Sequence, residues 1–173
     1  MKNITKPVII IIGVMGLTFA PIILASATSA ASATIISLIS IAKTVDMHFG
    51  NIAISASASG TVVLSPTGLR TTGGSGGVTL PSNTGPVAPA EFTITGEPGF
   101  TYSITLPVSA TLSDGGSHTM NISSFTSNPS ATGTLNSAGT QTLQIGATLN
   151  ISAAQPAGSY RNSTAVPVTV NYN

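Results

Sequence analysis

The stretch that most constrains this chain is Thr140 to Ile151. Leu143, Ile145, Ala147, Leu149 and Ile151 alternate with other residues without a slip. A period of two puts all five on one face of a β-strand, whereas a helix would scatter them around its circumference. One apolar face per strand demands a second sheet to cover it.

The rest of the chain has the same grammar. Phe92 and Ile94 alternate with Thr93 and Thr95, and Tyr102, Ile104 and Leu106 alternate with Ser103 and Thr105. Between them Gly96, Glu97, Pro98 and Gly99 supply a turn, because proline pre-sets its φ and glycine tolerates positive φ. Phe92 to Pro107 therefore reads as a β-hairpin. Strands are also expected at Thr34–Ala42, from Phe49 to Ile54, at Gly60–Pro66, Val78–Leu80, Val108–Leu112, through Met120, Ile122 and Phe125, at Thr132–Leu135, and from Ser159 to Tyr172. No segment after the leader keeps a helical period over three turns. Seven to nine short strands with frequent turn signals predict an all-β, immunoglobulin-like sandwich, with a small barrel as the structural alternative.

The first 33 residues read as a secretory signal peptide. Lys2 and Lys6 form a basic start, Val8 to Leu24 is almost wholly apolar, and small residues follow through Ala33. Ala27 and Ala33 each end an A-x-A site, and cleavage is expected after Ala33. An uncleaved anchor is the rival reading of the apolar run. The expected organisation is a leader helix over residues 1–33, then one sandwich domain over 34–173. The protein is thus expected to be exported, to the cell surface or beyond. The chain contains no cysteine, which export permits but does not require.

Composition narrows function mainly by exclusion. Only 5% of residues are charged. After the leader, Lys43, Arg70 and Arg161 face Asp46, Glu91, Glu97 and Asp114, a net of −1. Such a chain has no electrostatic footprint for nucleic acid. The chemical inventory is thin. Asp114, Ser117 and His118 lie close together, but on a glycine-rich tip that cannot hold a triad. Asp46 and His48 read as a surface pair, since a metal site wants three or four ligands. The glycine loop from Thr71 to Gly77 lacks the lysine of a phosphate-binding loop. Asn121, Asn150 and Asn162 each open an Asn-x-Ser/Thr triplet, which chance supplies readily in this composition. Tyr102, Tyr160, Tyr172, Phe92, Phe100 and Phe125 could be imagined as a sugar-stacking platform, but their places on alternating strand faces make core packing the better reading for most of them. No catalytic residue, metal ligand or cofactor site is expected, and the protein is not read as an enzyme.

Several longer stretches together carry a resemblance. They are Asp46 to Ile52, Gly60 to Pro66 with Arg70, Phe92 to Gly99, Phe125 to Pro129, Gly139 to Leu143, Gly146 to Leu149, Gln155 to Tyr160, and the ending Val168 to Asn173. In this pattern the chain resembles a family of small exported bacterial immunoglobulin-like domains, similar to spore-coat-U-type and archaic chaperone–usher fimbrial subunits. The fimbrial relatives carry a cysteine pair that this chain lacks. The resemblance implies a structural subunit of a surface fibre or pilus. Its partners would be copies of itself joined head to tail, with a periplasmic chaperone and an outer-membrane usher.

The residues suggest how such a fibre would join. Thr34–Ala42 is the most apolar run after the leader and lies at a free end, with Lys43 to Asp46 as a hinge. Ile35, Ile39 and Ile41 would share one face, and Ile36 and Leu38 the other. The final strand carries Val166, Val168, Val170 and Tyr172 along a candidate groove edge. In donor-strand exchange the first segment fills a neighbour's groove, with main-chain hydrogen bonds covering an exposed edge. The alternative is that Thr34–Ala42 closes its own sheet, leaving a monomeric secreted or surface-attached binding module such as an adhesin.

Overall fold

The computed structural model of the protein describes residues 25–162 and 166–173. The chain divides into two units between Thr34 and Ile35. Residues 25–34 are exposed and without regular structure, so the leader helix does not extend over residues 25–33; the rest of the expected leader, residues 1–24, lies outside the described residues. No helix among the described residues is long and apolar enough to cross a membrane.

The second unit is all β. Its strands are β1 (Ser40–Val45), β2 (His48–Phe49), β3 (Ala53–Ile54), β4 (Gly60–Leu64), β5 (Arg70–Gly73), β6 (Val78–Thr79), β7 (Val87–Ala88) and β8 (Ala90–Thr95). They continue as β9 (Thr101–Thr105), β10 (Ser109–Ser113), β11 (Thr119–Asn128), β12 (Thr132–Thr134), β13 (Thr140–Ile151), β14 (Arg161–Asn162) and β15 (Thr169–Tyr172). All pairings are antiparallel. One large sheet runs β1-β8-β13-β11-β10-β14, with β4 and β5 added beside β13. Three small sheets, β12-β9-β15, β2-β7 and β3-β6, complete the structure. Among the described residues the large sheet ends at β1 and β14 without closing, as in a sandwich and unlike a barrel.

β13 has the bounds expected from its alternation, and it organises the rest. One edge pairs with β11. The other changes partner along its length: Thr140 to Ile145 pair with β8, and Ala147 to Ile151 with β4. Its inward residues feed two cores. Leu143 and Ile145 join Ile94, Tyr102, Leu135 and Val170, between the large sheet and β12-β9-β15. Ala147, Leu149 and Ile151 join Phe49, Val62, Leu64, Val78 and Ile122, under the two short ribbons.

Gly146 sits where β13 changes partners. A Cβ there would lie 2.1 Å from the Leu64 carbonyl oxygen and 2.6 Å from the Ser65 carbonyl carbon. The chain leaving β4 passes directly over it, a close backbone approach of the kind that glycine inside a strand marks.

The structure corrects three readings. The first is the hairpin: β8 and β9 do not pair with each other. β8 lies in the large sheet between β1 and β13, and β9 lies between β12 and β15. Gly96 to Gly99 is an arch from one layer to the other. Ile94 and Tyr102 face the same core from opposite sheets, both fully buried. Alternation fixes which face is apolar but is silent on which neighbour a strand takes.

The second is Thr34–Ala42 as one strand. The strand there is β1, which starts at Ser40 and pairs with β8 from Ser40↔Thr95 onward. β8 ends at Thr95 and the arch then leaves the sheet, so residues before Ser40 lose the strand they would pair with. Ile39 and Ile41 pack on the core, while Ile35, Ile36 and Leu38 are exposed.

The third is the last strand. Ser159–Tyr172 is not continuous: β14 adds to β10 in the large sheet, and β15 adds to β9 in the small one. Phe49 to Ile54 is likewise split, at Gly50 with φ of +73°. Such breaks, with β5 and β7 unforeseen, raise the number of strands above the seven to nine expected.

Candidate functional site

The place where distant parts of the chain converge is the Gly96–Gly99 arch. The Glu97 amide donates to the Tyr172 hydroxyl at 2.6 Å. That hydroxyl donates onward to the Ser37 carbonyl at 2.9 Å. The Ser37 amide in turn donates to Glu97 Oε2 at 2.9 Å. Phe100 packs edge-on against the Tyr172 ring, with centroids 5.7 Å apart. The Ser37 amide bond holds the exposed Glu97 carboxyl below its usual range. The arch, the end of β15 and the segment before β1 are thus tied together beside two strands that each have an open edge. β1 and β15 are terminal in their sheets and have one hydrogen-bonded strand neighbour each among the described residues.

The expected interface residues divide here. Ile39 and Ile41 face the core, while Ile35 is 97% and Leu38 88% exposed, with Ile36 at the surface. On the expected groove edge, Val168, Val170 and Tyr172 pack on the same core. Val166 lies half-buried in the connection before β15.

The residues weighed for chemistry do not assemble into a reactive centre. Asp114 and His118 do meet, with Oδ2 and Nδ1 2.7 Å apart. Asp114 Oδ1 also accepts from the amides of Gly116 at 2.7 Å and His118 at 3.3 Å. The pair fastens the β10–β11 turn, and no bond joins it to Ser117. The hydrogen bond from His118 holds the Asp114 carboxyl below its usual range, helped by the Gly116 amide. A depressed folded-state value contributes stability that is present above the ordinary carboxylate pKa and lost as pH falls through the lower folded one. On acidification the Gly116 and His118 amides should lose hydrogen-exchange protection before those of β13. Asp114→Asn should abolish that early step; an early step that survives the substitution would assign it elsewhere.

Asp46 pairs with Lys43, whose hydrogen bond and charge lower the Asp46 carboxyl pKa. His48 adds only a weaker electrostatic effect on Asp46. Glu91 accepts from Gln144 Nε2 at 2.8 Å, away from Glu97. Arg70 Nη1 donates to the carbonyls of Phe49 at 2.6 Å and Asn51 at 3.1 Å, so this cation fastens a chain reversal. No cluster of three potential metal ligands occurs among the described residues. Residues 71–73 belong to β5, where a loop was expected, and 74–77 form the connection into β6. Tyr102 is buried in the core and donates to Gln141 Oε1 at 2.7 Å. Burial pushes its phenol pKa up.

Sequence reasoning missed the joint at the arch. Its members lie 60, 75 and 135 residues apart. Glu97 reads locally as a turn residue and Tyr172 as an edge residue, and nothing in the local pattern singles out Ser37. No local spacing relates them.

A family model described as "Domain of unknown function (DUF4402)" matches residues 39–172. No curated protein and no solved structure matches the chain.

Proposed function

The chain belongs to the DUF4402 family, and from that premise we propose that it is a structural subunit of a bacterial surface fibre, exported and without catalytic activity. Subunits join when the segment 34–42 of one copy pairs into the next. The observation that carries this reading is the exposure of Ile35 and Leu38, directly ahead of a terminal edge strand. Large apolar side chains that a domain leaves in water at a free edge are a liability unless a partner covers them. Burying each is worth roughly 1.5–3 kcal/mol. A neighbour's edge supplies both main-chain hydrogen bonds and side-chain pockets. The contact is head to tail, so it propagates as an open filament. The chaperone and usher belong to this reading through the resemblance.

A second reading is a monomeric secreted binding module. The pairing of β1 with β8 of its own chain favours it.

Electron microscopy of material sheared from producing cells, with mass measurement of the purified exported protein at rising concentration, separates the two. Fibres containing the protein, and their loss when 34–42 is deleted, are expected. A protein that stays monomeric at high concentration, with β1 amides protected inside its own domain, would sink the fibre reading in favour of the binding module.

A further inference from the structure

We propose that Tyr172, with Glu97 and Ser37, forms a clasp that holds the segment before β1 on its own domain and so governs when that segment can leave. Its consequence for assembly rests on the fibre reading above; the clasp itself does not.

Three observations converge on it. The first is the chain of hydrogen bonds through a single phenol. The Tyr172 hydroxyl accepts from the Glu97 amide and donates to the Ser37 carbonyl, and the Ser37 amide returns to the Glu97 carboxylate. Both main-chain polar groups of Ser37 are thereby engaged. The second is that the segment has little else to hold it. Strand pairing begins only at Ser40, and Ile35, Ile36 and Leu38 are exposed. Polar contacts therefore do for Ser37 what burial does for Ile39 and Ile41. The third is the space made for the phenol. A Cβ at Gly96 would lie 2.2 Å from the Tyr172 hydroxyl oxygen and 3.0 Å from Leu135 Cδ1. Only a residue without a side chain lets the hydroxyl reach the arch.

The geometry also explains why the clasp would be releasable. The two bonds made by Ser37 are exposed, where water competes for them, while the Glu97–Tyr172 bond is part-buried. The net gain from such an exposed bond is small, because water replaces it when the segment opens. The clasp is strong enough to bias the segment toward its own domain and weak enough to be outcompeted by burial of apolar residues elsewhere. The open edge of β15 lies directly beside it, so the residue that restrains the segment also terminates that edge.

The test uses the protein after leader removal and reads amide exchange over residues 35–45 beside the rate of assembly. Tyr172→Phe keeps the ring against Phe100 but removes two of the three bonds. Exchange at Ser37 and Glu97 should speed up about tenfold, with the β13 amides unchanged. Gly96→Ala should produce the same pattern with all three clasp side chains intact. Glu97→Gln keeps an acceptor and should retain more Ser37 protection than Glu97→Ala. If the fibre reading holds, Tyr172→Phe also assembles faster than the parent. Unchanged Ser37 exchange in both Tyr172→Phe and Gly96→Ala would overturn the clasp, whatever assembly does. Absence of assembly in every variant, with Ser37 exchange still accelerated, would instead remove the fibre reading and leave the clasp standing.

Discussion

Gly146→Val should destabilise the domain by more than about 3 kcal/mol, at or beyond the upper end of ordinary overpacking costs. The atoms in the way are the main-chain carbonyl of Leu64 and the backbone at Ser65 and Pro66. Backbone held in a sheet cannot step aside as a flexible side-chain tip can. Relief requires either β4 or β13 to move, and the Ala147↔Leu64 pairing begins one residue away. On the opposite edge, β11 rejoins at Thr126↔Gly146 after a bulge that follows Ser123. Gly146 is therefore flanked by β11 on one edge and covered by the backbone leaving β4. Domains of this kind have a total stability of roughly 5–15 kcal/mol, so a poorly folded or aggregating product is an expected form of the result. Gly146→Ala should show the same defect in milder form under urea denaturation. A valine variant within about 0.5 kcal/mol of the parent, the range of a neutral surface change, would show that β4 does not pass over β13 at this point.

The second large effect concerns Leu143 and Leu149. Both are essentially inaccessible, at 0% and 2%. They lie on one strand but serve different cores. Each Leu→Ala change should cost roughly 2–5 kcal/mol, the transfer of the lost methylenes plus the cavity left behind. Their separation along β13, six residues at about 3.4 Å each, is about 20 Å. Met47 and Phe125 pack against both cores, but at that separation the two costs should still add to within about 0.5 kcal/mol in the double variant. Each single variant should also unfold in one transition seen alike by far-ultraviolet circular dichroism and tyrosine fluorescence, because β13 is common to both cores. Two separated transitions in either variant would mean that the cores are independent folding units and that β13 does not couple them.

The sequence legible at the level of faces was legible because side-chain alternation is a local property. β13 could be bounded from Leu143 to Ile151 alone, since only one register places all five residues inward. The same logic located β4, β11 and β12, and the buried faces of β8 and β9. Asp114 and His118, close in sequence on a glycine-rich tip, meet in a hydrogen bond that fastens the turn. What local pattern could not supply was the partner of each strand. The arch at Gly96–Gly99 and a tight hairpin use the same residue types, Pro98 with flanking glycines. They differ only in whether the chain returns beside itself or crosses to the other layer. The burial of Ile94 and Tyr102 is compatible with both.

The joint at the arch lies further still from what a sequence can express. By itself the sequence determined the all-β architecture, the apolar face of its longest strand, the neutral surface and the apolar run ahead of Ser40. Each of these follows from neighbouring residues and the two-residue period of an extended chain. Only the tertiary structure decided that β8 belongs to one sheet and β9 to the other, and that pairing starts at Ser40 and leaves Ile35 and Leu38 in water. It alone brought Ser37, Glu97 and Tyr172 to one phenolic oxygen. Those outcomes depend on which edges remain free once β13 has taken β8, β4 and β11. That is a competition among strands far apart in the chain, settled by burial and hydrogen bonding over the whole domain.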